Sequence, residues 1–380
     1  MQAGEVLNIP RTFDYIILSD TINQATDVQS LLSTLLKHTH SHTRLILNFF
    51  SSLWRPFINL STFLGMRPKN QASNWLATKD VQNLLELSKW QIIKFQSRII
   101  CPIQCLGLER LLNRLFAPLL PWFCLSVFCI ARPSPERAIN RELSVSVVIP
   151  ARNEAGNIEE AVLRVPQLGH KTELIFVEGH SQDNTWKEIK RIKEKYADKN
   201  IKILQQSGEG KGNAVRDAFA AASGDILMIL DADLTMPPEE LPKFYDVMAS
   251  GHAEFANGVR LVYPMEEKSM RFLNMIGNKF FCIIFSWLLN QSIKDTLCGT
   301  KVLFKRDYDK IVINRKYFGE FDPFGDFDLI FGADKINLKI ADIPIRYQER
   351  LYGDTNIKRW SHGWLLLRMV VFGATKLKFI

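Results

Sequence analysis

Asp231-Ala232-Asp233 follows directly on the wholly apolar run Ile226–Leu230. Two carboxylates flanking one small residue at the mouth of a buried strand are costly unless something neutralises them. A divalent Mg2+ or Mn2+ does so, taking one or two carboxylates together with diphosphate oxygens, and then stabilises a departing nucleoside diphosphate. A solvated Asp pair in a loop is the competing reading, and a bare three-residue motif favours it. The apolar strand before the motif and Pro237-Pro238 after it favour the metal. Three other strand ends carry polar groups. At Pro150-Ala151-Arg152-Asn153-Glu154 these groups meet a nucleotide, or Asn153 caps the next helix. In Val177-Glu178-Gly179-His180-Ser181-Gln182-Asp183, an acid suits a base or ribose contact, while Ser181 or Asp183 suits a helix cap; His180 is given no role. Gly208-Glu209-Gly210-Lys211-Gly212-Asn213 precedes a helix, where glycines and a helix start favour an anion and Lys211 could meet a diphosphate. No GxxxxGK[ST] loop is present.

These residues need a scaffold, and the pattern supplies one. Strands are expected at Ser144–Pro150, Glu173–Val177, Ile201–Leu204 and Ile226–Leu230. Helices are expected at Asn157–Val165, Thr185–Lys195, Asn213–Ala222 and Pro238–Ala249. Such alternation predicts an α/β fold with a parallel sheet covered on both faces, whose ligands lie beyond the carboxyl ends of the strands. The first half alternates too, with strands at Tyr15–Leu18 and Leu45–Phe49 and a helix at Val28–Leu36, and Val81–Leu87, Gln91–Phe95 and Leu125–Ile130 continue the pattern. The polar, Pro-containing stretch at Ala131–Leu143 reads as a linker.

The formal net charge of +8 is uneven. Residues 1–141 hold 15 Lys+Arg against 8 Asp+Glu, and the rest hold 33 against 32. A basic excess suits an anionic partner, either a lipid surface or nucleic acid, or is simply a solvated face; no nucleic-acid partner is expected. The six cysteines show no metal spacing and read as thiols of a reducing compartment. Residues 1–20 lack the pattern of a signal peptide. No apolar run reaches the roughly 20 residues of a membrane span. Met270–Leu289 and Trp360–Ile380, apolar with basic flanks and Trp, suit either helices on a membrane surface or helices packed on the sheet.

Taken in order, VVIPARNE, FVEGHSQD, GKGNAVRDAF and LDADLTMPPEEL resemble the family 2 glycosyltransferases of GT-A fold, in particular dolichol-phosphate mannosyltransferases and related polyprenyl-phosphate glycosyltransferases. Gly258-Val259-Arg260, the segment Asp295–Lys301 and Arg350-Leu351-Tyr352-Gly353-Asp354-Thr355-Asn356 extend the likeness. The resemblance implies a Rossmann-like mixed sheet over residues 144–357, between a linker at 134–143 and an amphipathic helix at 358–380. It implies that Pro150, Arg152, Glu154, Val177, Glu178 and Lys211 line the nucleotide-sugar pocket. Asp231 and Asp233 hold the metal, and Ala232 lies against the donor. Arg260, Gly299, Arg350, Gly353 and Thr355 meet the acceptor or its phosphates, and Asp328 stands near a family acid. Glu178-Gly179, Asn356 and Thr235 depart from the family pattern. The expected reaction is an inverting displacement by a polyprenyl or dolichyl phosphate on a nucleotide-sugar, in a protein peripheral to the cytoplasmic face of a membrane. A hydroxyl acceptor would instead need Asp326 or Asp328 as base. A sugar nucleotidyltransferase and a non-catalytic binding module are the alternatives. Residues 13–133, carried by Phe13–Asp20, Leu45–Phe49 and the closing strands, resemble the carboxyl half of a class I S-adenosylmethionine methyltransferase. The glycine-rich cofactor loop is missing, so no S-adenosylmethionine binding is expected, and another chain is a candidate to complete the half (1–133).

Overall fold

The computed structural model describes residues 11–66, 74–135, 138–263, 272–317, 325–350, 352 and 359–380. The chain divides into two compact units, 1–135 with 378–380, and 136–377.

The first unit holds a four-stranded sheet of β1 (Tyr15–Leu18), β2 (Arg44–Phe50), β3 (Trp90–Arg98) and β4 (Ser126–Pro133), in the order β1-β2-β4-β3. β1 and β2 are parallel, whereas β4 runs antiparallel between β2 and β3. Alternate residues of β2, Leu45, Leu47 and Phe49, are buried with Leu85, Trp90 and Cys129, as a period of two demands. β1 flanks the sheet, with Tyr15 and Ile17 exposed.

The second unit holds β5 (Val145–Ala151), β6 (Thr172–Glu178), β7 (Ile201–Gln205), β8 (Ile226–Ile229), β9 (Phe255–Val259), β10 (Lys301–Phe304) and β11 (Ile340–Pro344). Their order is β11-β9-β10-β8-β5-β6-β7. Val145, Val147 and Ile149 bury into one core and Val148, Ile175 and Val177 into the other, so both faces are covered. The α/β GT-A expectation of a mixed sheet is met, and the purely parallel sheet is corrected. β10 runs antiparallel to both β8 and β9, while the other strands are mutually parallel. After the helix Phe272–Leu289 the chain passes Gln291, bonded at the amino end of β11, and climbs to Asp295 and Gly299 at the end where β8 finishes, so the next strand must run away from that end. The carboxyl ends of β5, β6, β8, β9 and β11 and the amino end of β10 therefore share one rim.

The two candidate surface helices are packed, although each keeps an apolar outer face. Phe272–Leu289 buries Phe285, Leu288 and Leu289, and Arg359–Gly373 buries Leu366 and Met369. Among the described residues no helix is long and apolar enough to cross a membrane. All six cysteines are free thiols.

Candidate active site

The acidic pair lies where β8 ends. Leu230 still donates its N–H to the Val148 carbonyl at 2.9 Å, and the chain then leaves the sheet. Leu234 sits at φ 53°, an uncommon conformation for a leucine that closes the turn after Asp233. Asp231 meets Lys211 at 2.5 Å, and Asp233 meets Arg350 at 2.8 Å while accepting from the Thr235 hydroxyl at 2.9 Å. Burial works to raise the Asp231 carboxyl. Lys211 in contact, with Lys301 and Arg260 further off, overcomes this and holds it below the usual carboxylate range.

Each cation has a structural reason to be there. Lys211 stands in the first turn of the helix Gly210–Ala221. Arg350 arrives on the loop after β11, which is held by Ile345 N–H to the Val259 carbonyl (3.0 Å) and Gln348 N–H to the Thr235 carbonyl (2.8 Å). Its guanidinium also reaches Glu154 at 3.2 Å. Glu154 accepts from Asn157 Nδ2 at 2.7 Å. Burial pushes its carboxyl up, against the pull of Arg350.

Arg260 is committed elsewhere. Its Nε and Nη2 grip both oxygens of the buried Asp295 at 2.7 and 2.9 Å, and its guanidinium lies over the Tyr347 ring. Burial would raise Asp295, but Arg260 brings it down to about 2. Asp295 also accepts from the backbone N–H of Leu297 and Cys298. Together these bonds lock the turn that carries Gly299 onto the Asp231 carboxylate and the Lys211 ammonium, with no room there for a Cβ.

The remaining expected residues are placed as follows. Pro150 is half-buried and Arg152 exposed on the rim. Asn153 does not cap a helix; its N–H donates to Ser181 Oγ (3.0 Å) and its Oδ1 accepts from Gln182 N–H (2.8 Å), tying the two loops together. Asp183 serves the helix start by accepting from Thr185 N–H at 2.9 Å. Glu178 is buried and accepts from Ser181 N–H in its own loop. The Val177 side chain is in the core rather than on the rim, and Ala232 is buried directly between the two acids. Asp328 is turned away from the rim and paired with Arg315 at 2.9 Å. It is Asp326, at the start of the helix Asp326–Lys335, that feels Lys211, Lys301 and Asp231. Its Oδ1 has no hydrogen-bond partner among the described residues. Gly353 and Thr355 lie outside the described residues. Lys301, fully buried with its ammonium on the Cys298 carbonyl, is a member of the site whose strand-like context hid it.

A divalent ion fits this donor set. Among the described residues no three His, Cys, Asp or Glu side chains form a complete cage. Two carboxylates open to the rim leave further ligand positions for diphosphate oxygens, as Mg2+ and Mn2+ sites commonly do.

Residues 146–313 match the model of the glycosyl transferase family 2. A dolichol-phosphate mannosyltransferase of Pyrococcus furiosus is 29% identical over 223 residues, 57% of this chain and 60% of that protein. An undecaprenyl-phosphate 4-deoxy-4-formamido-L-arabinose transferase of Klebsiella pneumoniae is 30% identical over 215 residues, 56% of this chain and 62% of that one. The chain thus spans about six-tenths of the length of these relatives. A dolichyl-phosphate hexose transferase of Haloferax volcanii is 28% identical, with 60% of this chain and 92% of that protein aligned. Among solved structures, glucosyl-3-phosphoglycerate synthase of Mycobacterium tuberculosis in complex with Mn2+, uridine-diphosphate and glucosyl-3-phosphoglycerate aligns at TM-score 0.44 and 18% identity, over 62% of this chain and 80% of that one.

Proposed function

From the premise of a family 2 glycosyl transferase domain at residues 146–313, we propose that the second unit transfers a hexose from a nucleotide-sugar to a polyprenyl or dolichyl phosphate. The observation that carries this reading is the rim itself, where two carboxylates, Asp231 and Asp233, share one space with Lys211 and Arg350. Asp231 and Asp233 hold a divalent Mg2+ or Mn2+, which when bound draws off charge from the leaving diphosphate. Lys211 and the first N–H groups of its helix bind diphosphate oxygens. Pro150, Arg152, Glu154 and Glu178 line the nucleotide end of the pocket. Arg350 orients the acceptor phosphate, and the Arg260–Asp295 pair fixes the turn that sets Gly299 against Asp231, where the absence of a side chain leaves space for donor and acceptor to meet. A phosphate acceptor is already anionic at neutral pH and needs no general base. Of the two acids that a hydroxyl acceptor would call on, Asp328 is engaged by Arg315 and Asp326 stands near Lys211 and Asp231. The relatives named for lipid phosphates support the acceptor class.

For residues 13–133 we propose the carboxyl half of a class I methyltransferase-like sheet. Its support is topological: the last strand in chain order is inserted antiparallel between the second and third.

The test of the transfer reading is donor hydrolysis with Mn2+ across UDP-, GDP- and dTDP-sugars, followed by transfer to a short polyprenyl phosphate with the donor that responds. One donor should turn over, and faster when the lipid phosphate is added. Silence across all donors, with the protein folded, would overturn the reading.

A further inference from the structure

Three segments of the first unit spring from one end of its sheet, where β2 and β3 finish and β4 begins. Residues 51–66 follow β2, residues 99–107 follow β3, and residues 108–125 lead into β4. Phe50 and Arg98 both pair with Ser126. The roots are stitched together by Ser51 N–H to the Leu125 carbonyl (2.8 Å) and Leu125 N–H to the Ile99 carbonyl (2.7 Å). Farther out, Trp54 Nε1 donates to the Phe123 carbonyl at 2.8 Å, and Asn113 Oδ1 accepts from Cys101 N–H at 2.8 Å. The segments therefore form one continuous cap.

That cap is built inside out. Its helices, Arg55–Phe63 and Leu108–Leu115, contain no buried residue. Phe57 is 63% exposed, Phe63 86%, Leu111 52% and Trp122 75%. Apolar exposure on this scale marks an interaction surface rather than ordinary surface chemistry.

The charges choose among occupants. Residues 51–66 and 99–125 carry Arg55, Arg110 and Arg114 against a single acid, Glu109. The Glu109 carboxylate is taken up locally by the N–H groups of Cys105 and Gly107 at 2.9 and 3.0 Å. Large aliphatic side chains, phenylalanines and an outward tryptophan among arginines are the combination that enters a headgroup layer.

We propose that this cap seats the first unit on an anionic lipid surface. Leu111, Phe57, Phe63 and Trp122 enter the interface, and the three arginines meet lipid phosphates.

Flotation of the full chain with phosphatidylcholine vesicles, with and without phosphatidylglycerol, tests this. The wild type should float with the anionic vesicles. The variant Phe57→Ser, Phe63→Ser, Leu111→Ser, Trp122→Ser should bind at least about tenfold more weakly. These side chains support no core, so the thermal midpoint and donor hydrolysis should be unchanged, and vesicle binding is thereby read separately from the transferase reading. The double variant Ile283→Ser, Trp364→Ser, placed on the outer faces of the helices Phe272–Leu289 and Arg359–Gly373, should still float. A wild type that stays down, or a cap variant that floats equally, would overturn the proposal. So would flotation lost only in the double variant, or a dimer in sedimentation that the cap substitutions dissolve.

Discussion

The rim is an arrangement of opposed charges, and single side chains test it. Asp233→Ala should lower transfer on the order of a thousandfold while the thermal midpoint stays within a few degrees; it removes the partner of Arg350 but also a repulsion on Glu154. Near-wild-type turnover would dismiss the site. Lys211→Met should tighten Mn2+ binding in the absence of nucleotide by roughly tenfold, read from the paramagnetic resonance of the free ion, because the ammonium on Asp231 competes with the metal. Unchanged affinity would show that Lys211 is no competitor. Asp326 supplies a pH test. Burial raises its carboxyl above the usual range, so its neutral form suits the folded state and the ionised form does not. Stability from this group is present below about pH 4 and is lost as pH rises through the raised value. Asp326→Asn should therefore melt higher than the wild type at pH 7, with the gap closing toward pH 4. Superimposable curves would place the carboxyl in water.

Between elements, two glycines decide how closely parts approach. Gly325, at φ 77° ahead of the helix Asp326–Lys335, has Gly212 of the helix Gly210–Ala221 directly against it; a Cβ would fall 2.6 Å from the Gly212 Cα. Gly325→Ala should cost about 2 kcal/mol or more in urea unfolding, and a smaller loss would mean that the two helices separate freely. Much of this layer was legible in the residues. Strands β5 to β8 and the helices between them announced themselves by local periodicity, and Asp231 and Asp233 by standing at the end of one such strand. Other features depended on contacts far apart in sequence. Choosing Asp326 over Asp328 requires the phase of a helix whose start is set by Gly325. The antiparallel entry of β10 is fixed by the path of the chain before it. Lys301 reads as an ordinary strand residue until β10 is seen between β8 and β9. Val177 appears at a strand end in sequence, yet the alternation of the strand points it inward.

At the scale of the whole molecule, residues 13–133 hold only Gly65 and Gly107, which do not make the glycine-rich loop that cradles an adenosyl cofactor. Isothermal calorimetry with S-adenosylmethionine should record no binding, and a micromolar constant would refute that. The second unit has a temporal property written into its topology. β9 bonds only to β10 and β11, both of which follow it by more than 40 residues. As the chain emerges from a ribosome, Asp231 and Asp233 are exposed to solvent well before Gly299, Lys301 and Arg350 exist to enclose them. A nascent chain arrested ahead of Lys301 holds half a sheet with a raw edge, and it becomes a candidate for chaperone capture. The rim thus closes late in synthesis and in two stages, first when the four-residue β10 slots between β8 and β9, and then when the loop after β11 delivers Arg350 to Asp233.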